Sequence, residues 1–207
     1  MPRVIGLDFD NTIVTYDRVF YEAALERGLI ARDCEPTKLA IRERLRQSAD
    51  GDLAWQRMQG LVYGPLMPRA EVMPGLEQFV AECRRAGDRV VIVSHKTELG
   101  HFDETKTNLR AAALEWMEAA GFFDARRFAL RREDVYFEST RLDKVRRIAA
   151  LGCSDFVDDL EDVFLEPEFP RATGKVLFAP HARERERAGA RVMRSWQEVR
   201  EHYFGAA

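Results

Sequence analysis

The chain has 207 residues, of which 46% are hydrophobic and 32% charged. That is enough apolar material for a self-sufficient core in one domain with room for an insertion, and it excludes a disordered or low-complexity chain. Thirty-two basic and 35 acidic residues leave a formal charge of −3, so no global field draws the molecule to nucleic acid or to an anionic membrane.

The longest aliphatic run, Val90–Val93, is far shorter than the roughly 20 residues that span a bilayer. Asp8 and Asp10 stand where a secretory signal would need an apolar stretch. The three cysteines, Cys34, Cys83 and Cys153, are odd in number and widely separated, a pattern of reduced thiols rather than disulfides or zinc ligands. The chain therefore reads as a cytoplasmic protein, a monomer or homodimer, with no nucleic-acid or membrane partner.

Strand-like runs recur at Arg3–Phe9, Arg89–Ser94, Asp134–Phe137, Ser154–Val157 and Lys175–Phe178. Several are apolar nearly throughout, as parallel strands covered on both faces are. Helical patterns lie between them and stop at glycine: Glu77–Ala86 at Gly87, Asn108–Ala120 at Gly121, and Leu142–Leu151 at Gly152. The alternation predicts an α/β fold, a doubly wound, mostly parallel sheet with helices on both faces. More than eighty residues separate the starts of the first two strands, far more than a crossover needs. The excess reads as helices at Arg18–Arg27, Thr37–Ser48 and Leu53–Val62. We expect a catalytic core of residues 1–14 and 75–207 and a helical cap, able to act as a lid, at 15–74. Arg183–Arg187 alternates in sign and reads as a solvated helical face.

In open parallel sheets, ligands bind beyond the carboxyl ends of the strands. There the first strand delivers Asp8-Phe9-Asp10-Asn11-Thr12, the second Ser94-His95-Lys96, and the fourth Asp158-Asp159 with Asp162 one turn on; Lys144 opens a helix just upstream. Asp8 and Asp10 are two apart on an extended backbone and share a side. Joined by Asp158 or Asp159, they would repel one another unless a hard cation such as Mg²⁺ sat among them. Ser94 and Lys144 offer a hydroxyl and an ammonium group to a phosphoryl group.

These four elements resemble the motifs of the haloacid dehalogenase superfamily: an apolar strand ending Asp-x-Asp-x-Thr (Asp8 to Thr12), a strand ending in a hydroxyl (Ser94), a lysine (Lys144), and an acidic pair after a strand (Asp158-Asp159). Asn11 stands where glycine is commoner in that family, and Asp158-Asp159 replaces a frequent Gly-Asp; by position after Val157, Asp159 is favoured as the metal ligand. The resemblance implies that Asp8 is the nucleophile and forms an aspartyl-phosphate, and that Asp10 is the acid and base. It implies a magnesium ion on the Asp8 side chain, the Asp10 main-chain carbonyl and Asp158 or Asp159. Thr12, Ser94, His95 and Lys144 would face the substrate, with Lys96 a further cation within reach. A second acid and a metal suit phosphate-ester cleavage better than carbon–halogen cleavage, so the expected activity is a phosphatase for a small phosphorylated metabolite. A sugar phosphate is expected ahead of a nucleotide. The alternative is a binding protein on the same scaffold. Arg42, Arg44, Arg46 and Arg57 of the insertion are candidates for a second anionic group, and Tyr16, Phe20, Tyr21 and Trp55 are expected in its core.

Overall fold

A computed structural model describes residues 2–48, 50–100, 106–184 and 186–205. In chain order the elements are β1 (Val4–Leu7), β2 (Val14–Thr15), α1 (Asp17–Glu26), α2 (Lys38–Arg46), α3 (Gly51–Tyr63), β3 (Glu71–Val72), α4 (Leu76–Arg85), β4 (Arg89–His95) and α5 (Leu109–Ala119). There follow β5 (Val135–Glu138), α6 (Arg141–Ala150), β6 (Asp155–Asp158), α7 (Glu161–Phe164), β7 (Gly174–Phe178), β8 (Glu186–Arg187), β9 (Ala190–Met193) and α8 (Trp196–Phe204).

Seven strands form one sheet in the order β5-β4-β1-β6-β7-β9-β8, parallel except for the antiparallel edge pair β8–β9. The sheet is the doubly wound α/β architecture expected. Strand β1 is interior: Leu7 lies beside Ile92 of β4 and Val157 of β6. The chain fills the β4–β5 side before crossing to β6, so the carboxyl ends of β1, β4 and β6 meet at the switch point, where such sheets bind ligands. Gly6 is required inside β1 by close approach, because a Cβ there would come 2.4 Å from the Phe156 ring.

One face of the sheet is packed by Val145 and Ile148 of α6 with Phe156, Phe164, Phe169 and Leu177. On another side of the same unit, Phe79 of α4, Phe178 and Trp196 of α8 stack with ring centroids 4.9 and 5.4 Å apart. The helix α6 starts at Thr140, whose hydroxyl accepts from Asp143 N at 3.0 Å, an N-cap that fixes where its first turn begins.

The chain divides into two compact units. The first holds Met1–Val14, Val72–Lys96 and Ala120–Ala207 and carries the seven-stranded sheet; the second holds Thr15–Glu71 together with Thr97–Ala119. Residues 97–119, kept with the core in the sequence reading, thus cluster with the inserted helices. Their anchor is α5, where Trp116 donates its indole N–H to Ala70 O at 3.0 Å. Within this second unit Phe20 stacks on Trp55 and Tyr16 meets Tyr63 edge-on, both at 4.9 Å, so these aromatics are core. Tyr21 instead donates to Arg32 O.

The charged run at Arg183–Arg187 is not a helix. Glu186 and Arg187 form the short edge strand β8, turned back at Ala188-Gly189, both with positive φ, and Arg185 lies outside the described residues. Alternating charge suits an edge strand, which it protects from pairing with another chain. Among the described residues no helix is long and apolar enough to cross a membrane.

Candidate active site

The site lies wholly in the first unit. At the end of β1, Asp8 continues the ladder by donating its N–H to Val157 O at 2.9 Å. The chain then turns: Ile13 N and Val14 N both bond Phe9 O, with Asn11 at φ 58°, a left-handed position that asparagine tolerates. Thr12 is pinned from α8, where Trp196 donates its indole N–H to Thr12 O at 2.9 Å. The Asp8–Thr12 loop is therefore held by hydrogen bonds at both ends.

Lys144 projects from the first turn of α6 and is 2% exposed. Its Nζ lies 2.5 Å from Asp8 Oδ1 and 2.7 Å from Asp158 Oδ2. Asp158 is fully buried at the end of β6, and its Oδ1 accepts from Leu160 N at 3.0 Å. Asp159 accepts from the Asn11 amide at 2.9 Å. Single oxygens of Asp8, Asp158 and Asp159 all lie within 4.8 Å of one another. Asp162 stands apart, paired with Arg141 at 3.1 Å.

Asp10 faces a second lysine, Lys96, whose Nζ lies 2.9 Å from Oδ2 and 3.1 Å from Oδ1. Ser94, at the end of β4, and Thr12 are buried, and neither hydroxyl has a hydrogen-bond partner among the described residues. His95 is exposed, and its Nε2 is 3.1 Å from Ser139 O. In the stretch after Ser94, residues 101–103 lie outside the described residues. The structure thus pairs Lys144 with Asp8 and Asp158, brings Asp159 close to both acids, and sets Asp10 against Lys96. It leaves the Thr12 and Ser94 hydroxyls without partners and turns His95 toward the β5–α6 connection. Sequence reasoning missed Asn11, Trp196 and the Asp10–Lys96 pair; Asn11 in place of glycine was the one visible signal.

The electrostatics follow from the crowding. Burial pushes the Asp8 carboxyl well above its ordinary range; Lys144 opposes this, and the charges of Asp158, Asp159 and Asp10 add to it. Burial works against the charge of Lys144, but Asp158 and Asp8 outweigh it and raise its pKa. Four carboxyl groups face two ammonium groups, a formal excess of two negative charges. Hard oxygen donors with that excess, beside two unpartnered hydroxyls, fit a divalent cation such as magnesium and a phosphoryl group.

No protein-family profile and no curated protein matches the chain. Solved structures do match its fold. A predicted phosphatase from Clostridium acetobutylicum superposes with a TM-score of 0.61 at 14% identity over 100% of both chains. A HAD family hydrolase from Deinococcus radiodurans, with bound phosphate and sodium, gives 0.55 at 16% identity over 98% of this chain and 95% of that one. A mutant of CbbY from Rhodobacter sphaeroides in complex with xylulose-(1,5)-bisphosphate gives 0.50 at 19% identity over 95% of each. This chain has the fold of the haloacid dehalogenase-like hydrolases.

Proposed function

We propose that this chain is a magnesium-dependent phosphomonoester hydrolase acting through an aspartyl-phosphate on a small phosphorylated metabolite in the cytoplasm. The observation that carries this reading is the buried Asp8 carboxyl, ion-paired to Lys144, together with the buried Thr12 and Ser94 hydroxyls, which have no hydrogen-bond partner among the described residues. A buried unpaired hydroxyl is costly in a structural role and explicable in a site built for a ligand.

In this reading an Asp8 oxygen attacks phosphorus and the bond to the leaving oxygen breaks, with Asp10 supplying its proton. A water oxygen then attacks the phosphorus of the aspartyl-phosphate. The Asp8–phosphorus bond breaks, Asp8 returns as a carboxylate, and the water's proton passes to Asp10. Lys144, Ser94 and Thr12 hold the phosphoryl oxygens, since this transfer depends mainly on positioning and charge. The residues that would hold magnesium are Asp8, Asp158 and Asp159, with the Asp10 main-chain carbonyl. When bound, the ion supplies positive charge to the phosphoryl oxygens. His95, tied to the Ser139 carbonyl, is read as a substrate contact at the rim.

Residues 15–74 are read as a cap domain that selects substrate. A sugar phosphate is favoured over a nucleotide: Tyr16, Phe20, Trp55 and Tyr63 pack on one another as core rather than as a platform for a base, and the CbbY mutant binds a sugar bisphosphate. The test is phosphate release from sugar phosphates and nucleoside monophosphates by wild type and Asp8→Asn, in magnesium and in chelator. Release by wild type alone, and only with magnesium, is expected; equal rates in the two proteins sink the reading. Binding of phosphate without turnover of any substrate favours the alternative, a phosphometabolite-binding protein.

A further inference from the structure

Lys96 has no part in that mechanism, yet its side chain is only 3% exposed and both oxygens of one carboxylate meet it. A lysine is rarely buried this far without a specific reason. Its backbone is anchored: the main-chain N–H donates to Glu138 O at 2.9 Å, just past the β4–β5 pairing. The ammonium then passes over the Phe9 ring at 5.2 Å from the centroid. Phe9 is itself immobilised, fully buried and edge-on to Phe137 at 6.0 Å. The lysine is thus built into the wall on which Asp10 is mounted.

A carboxylate turns easily about its last torsion, whose rotamers are broad. One hydrogen bond leaves that rotation open, whereas contacts to both oxygens fix the plane. Asp10 is also the less enclosed of the two loop acids, with its side chain 23% exposed, so burial alone does not set its plane.

We propose that Lys96 is a positioning residue that fixes the Asp10 carboxylate for the water-attack step. The inference rests on the phosphatase reading above. In that step a water oxygen bonds to phosphorus, the Asp8–phosphorus bond breaks, its electron pair returns to Asp8, and the water's proton goes to Asp10. Only a carboxylate within hydrogen-bond reach of that water can take the proton. Departure of an activated phenolate needs no such help, so the two half-reactions can be separated.

The experiment uses p-nitrophenyl phosphate with full-length wild type, Lys96→Met, Lys96→Arg and Asp10→Asn, followed by stopped flow and by steady-state rates in magnesium. Lys96→Met is expected to release about one equivalent of nitrophenolate in a burst, with kcat reduced about a hundredfold. Its kcat/KM should fall less than tenfold, because the first half-reaction survives. Asp10→Asn should show the same burst, and Lys96→Arg should recover much of the lost turnover. Equal losses in kcat and kcat/KM without a burst, or unchanged kinetics, overturn the positioning role while leaving the phosphatase reading intact. If Lys96→Met does not fold, Lys96→Arg decides: a partial burst with slowed turnover supports the role, and kinetics lost without a burst overturn it. A wild type inert on every phosphomonoester removes both readings together.

Discussion

Two buried aspartates in this molecule meet opposite electrostatic fates. Asp134, 3% exposed at the start of β5, accepts from Arg89 Nε at 3.1 Å and from Arg131 Nε at 2.8 Å. Burial works to raise its pKa, but the two guanidinium groups outweigh burial and hold the carboxyl below its usual range. Asp8 is 5% exposed and has one lysine, shared with Asp158, amid three further acids, so burial prevails and its pKa rises. The two side chains are similarly inaccessible, but Asp8 lies deeper, so desolvation weighs more there, and it also has fewer cationic partners. Where two cations serve one acid, the cluster stabilises the fold. Where one cation is divided among several acids, the protein is left with an excess of acid that a proton or a bound cation must offset.

The contrast breaks most visibly at Lys144. Lys144→Met leaves Asp8 and Asp158 buried with no cation between them, and unfolding free energy in urea without magnesium should fall by about 3–5 kcal/mol. A loss below about 1 kcal/mol would mean that these acids are already neutral in the fold. Magnesium supplies the next effect. At a hundredfold excess over its dissociation constant it should add about 2.7 kcal/mol of stability, seen as a higher melting temperature for wild type and not for Asp158→Asn. An equal rise in both proteins would place the ion elsewhere.

At the structural cluster, Asp134→Asn should cost about 1–3 kcal/mol at neutral pH by removing the buried carboxylate that Arg89 and Arg131 share. Because the native pKa of Asp134 is lowered, its contribution is present above the ordinary aspartate value near 3.9 and is lost as pH falls through the lower native value. The gap between wild type and Asp134→Asn should therefore narrow on acidification. A gap that widens toward low pH would contradict the assignment.

How much of this was legible in the sequence divides along a similar line. The central strands could be read because buried parallel strands are continuous apolar runs, and the acids stood where those runs stopped. Lys144 was placed by the helix start that Thr140 caps. Contacts across long separations left no local trace. Trp196 reaches Thr12 over 184 residues, and the indole looks like any core aromatic in sequence. The strand β9 is broken by Arg191 and preceded by charge, so neither it nor its edge partner β8 shows an apolar period. Asn108–Ala120 carries a clear helical pattern, but periodicity gives an element and not the unit it packs in. The Asp10–Lys96 pair depends on how β4 ends beside β1, which spacing alone does not give.

The smallest expected effect sharpens the comparison most finely, because it separates stability from use at single hydroxyls. Thr173 is buried and donates to Cys153 O at 2.7 Å, whereas the hydroxyl of the buried Thr12 has no partner among the described residues. Thr173→Val removes a made hydrogen bond and leaves a carbonyl without that donor, and should cost about 1–2 kcal/mol with catalysis unchanged. Thr12→Val removes a hydroxyl that contributes no bond to the fold, so stability should stay level or rise by up to about 1 kcal/mol. Its phosphate release should nevertheless fall tenfold or more, since in the transition state the hydroxyl has a phosphoryl oxygen to bind. Denaturation curves and kcat/KM on the two variants give four numbers. If Thr12→Val loses as much stability as Thr173→Val, its hydroxyl serves the fold, and an unsatisfied polar atom stops being a pointer to the ligand in this site.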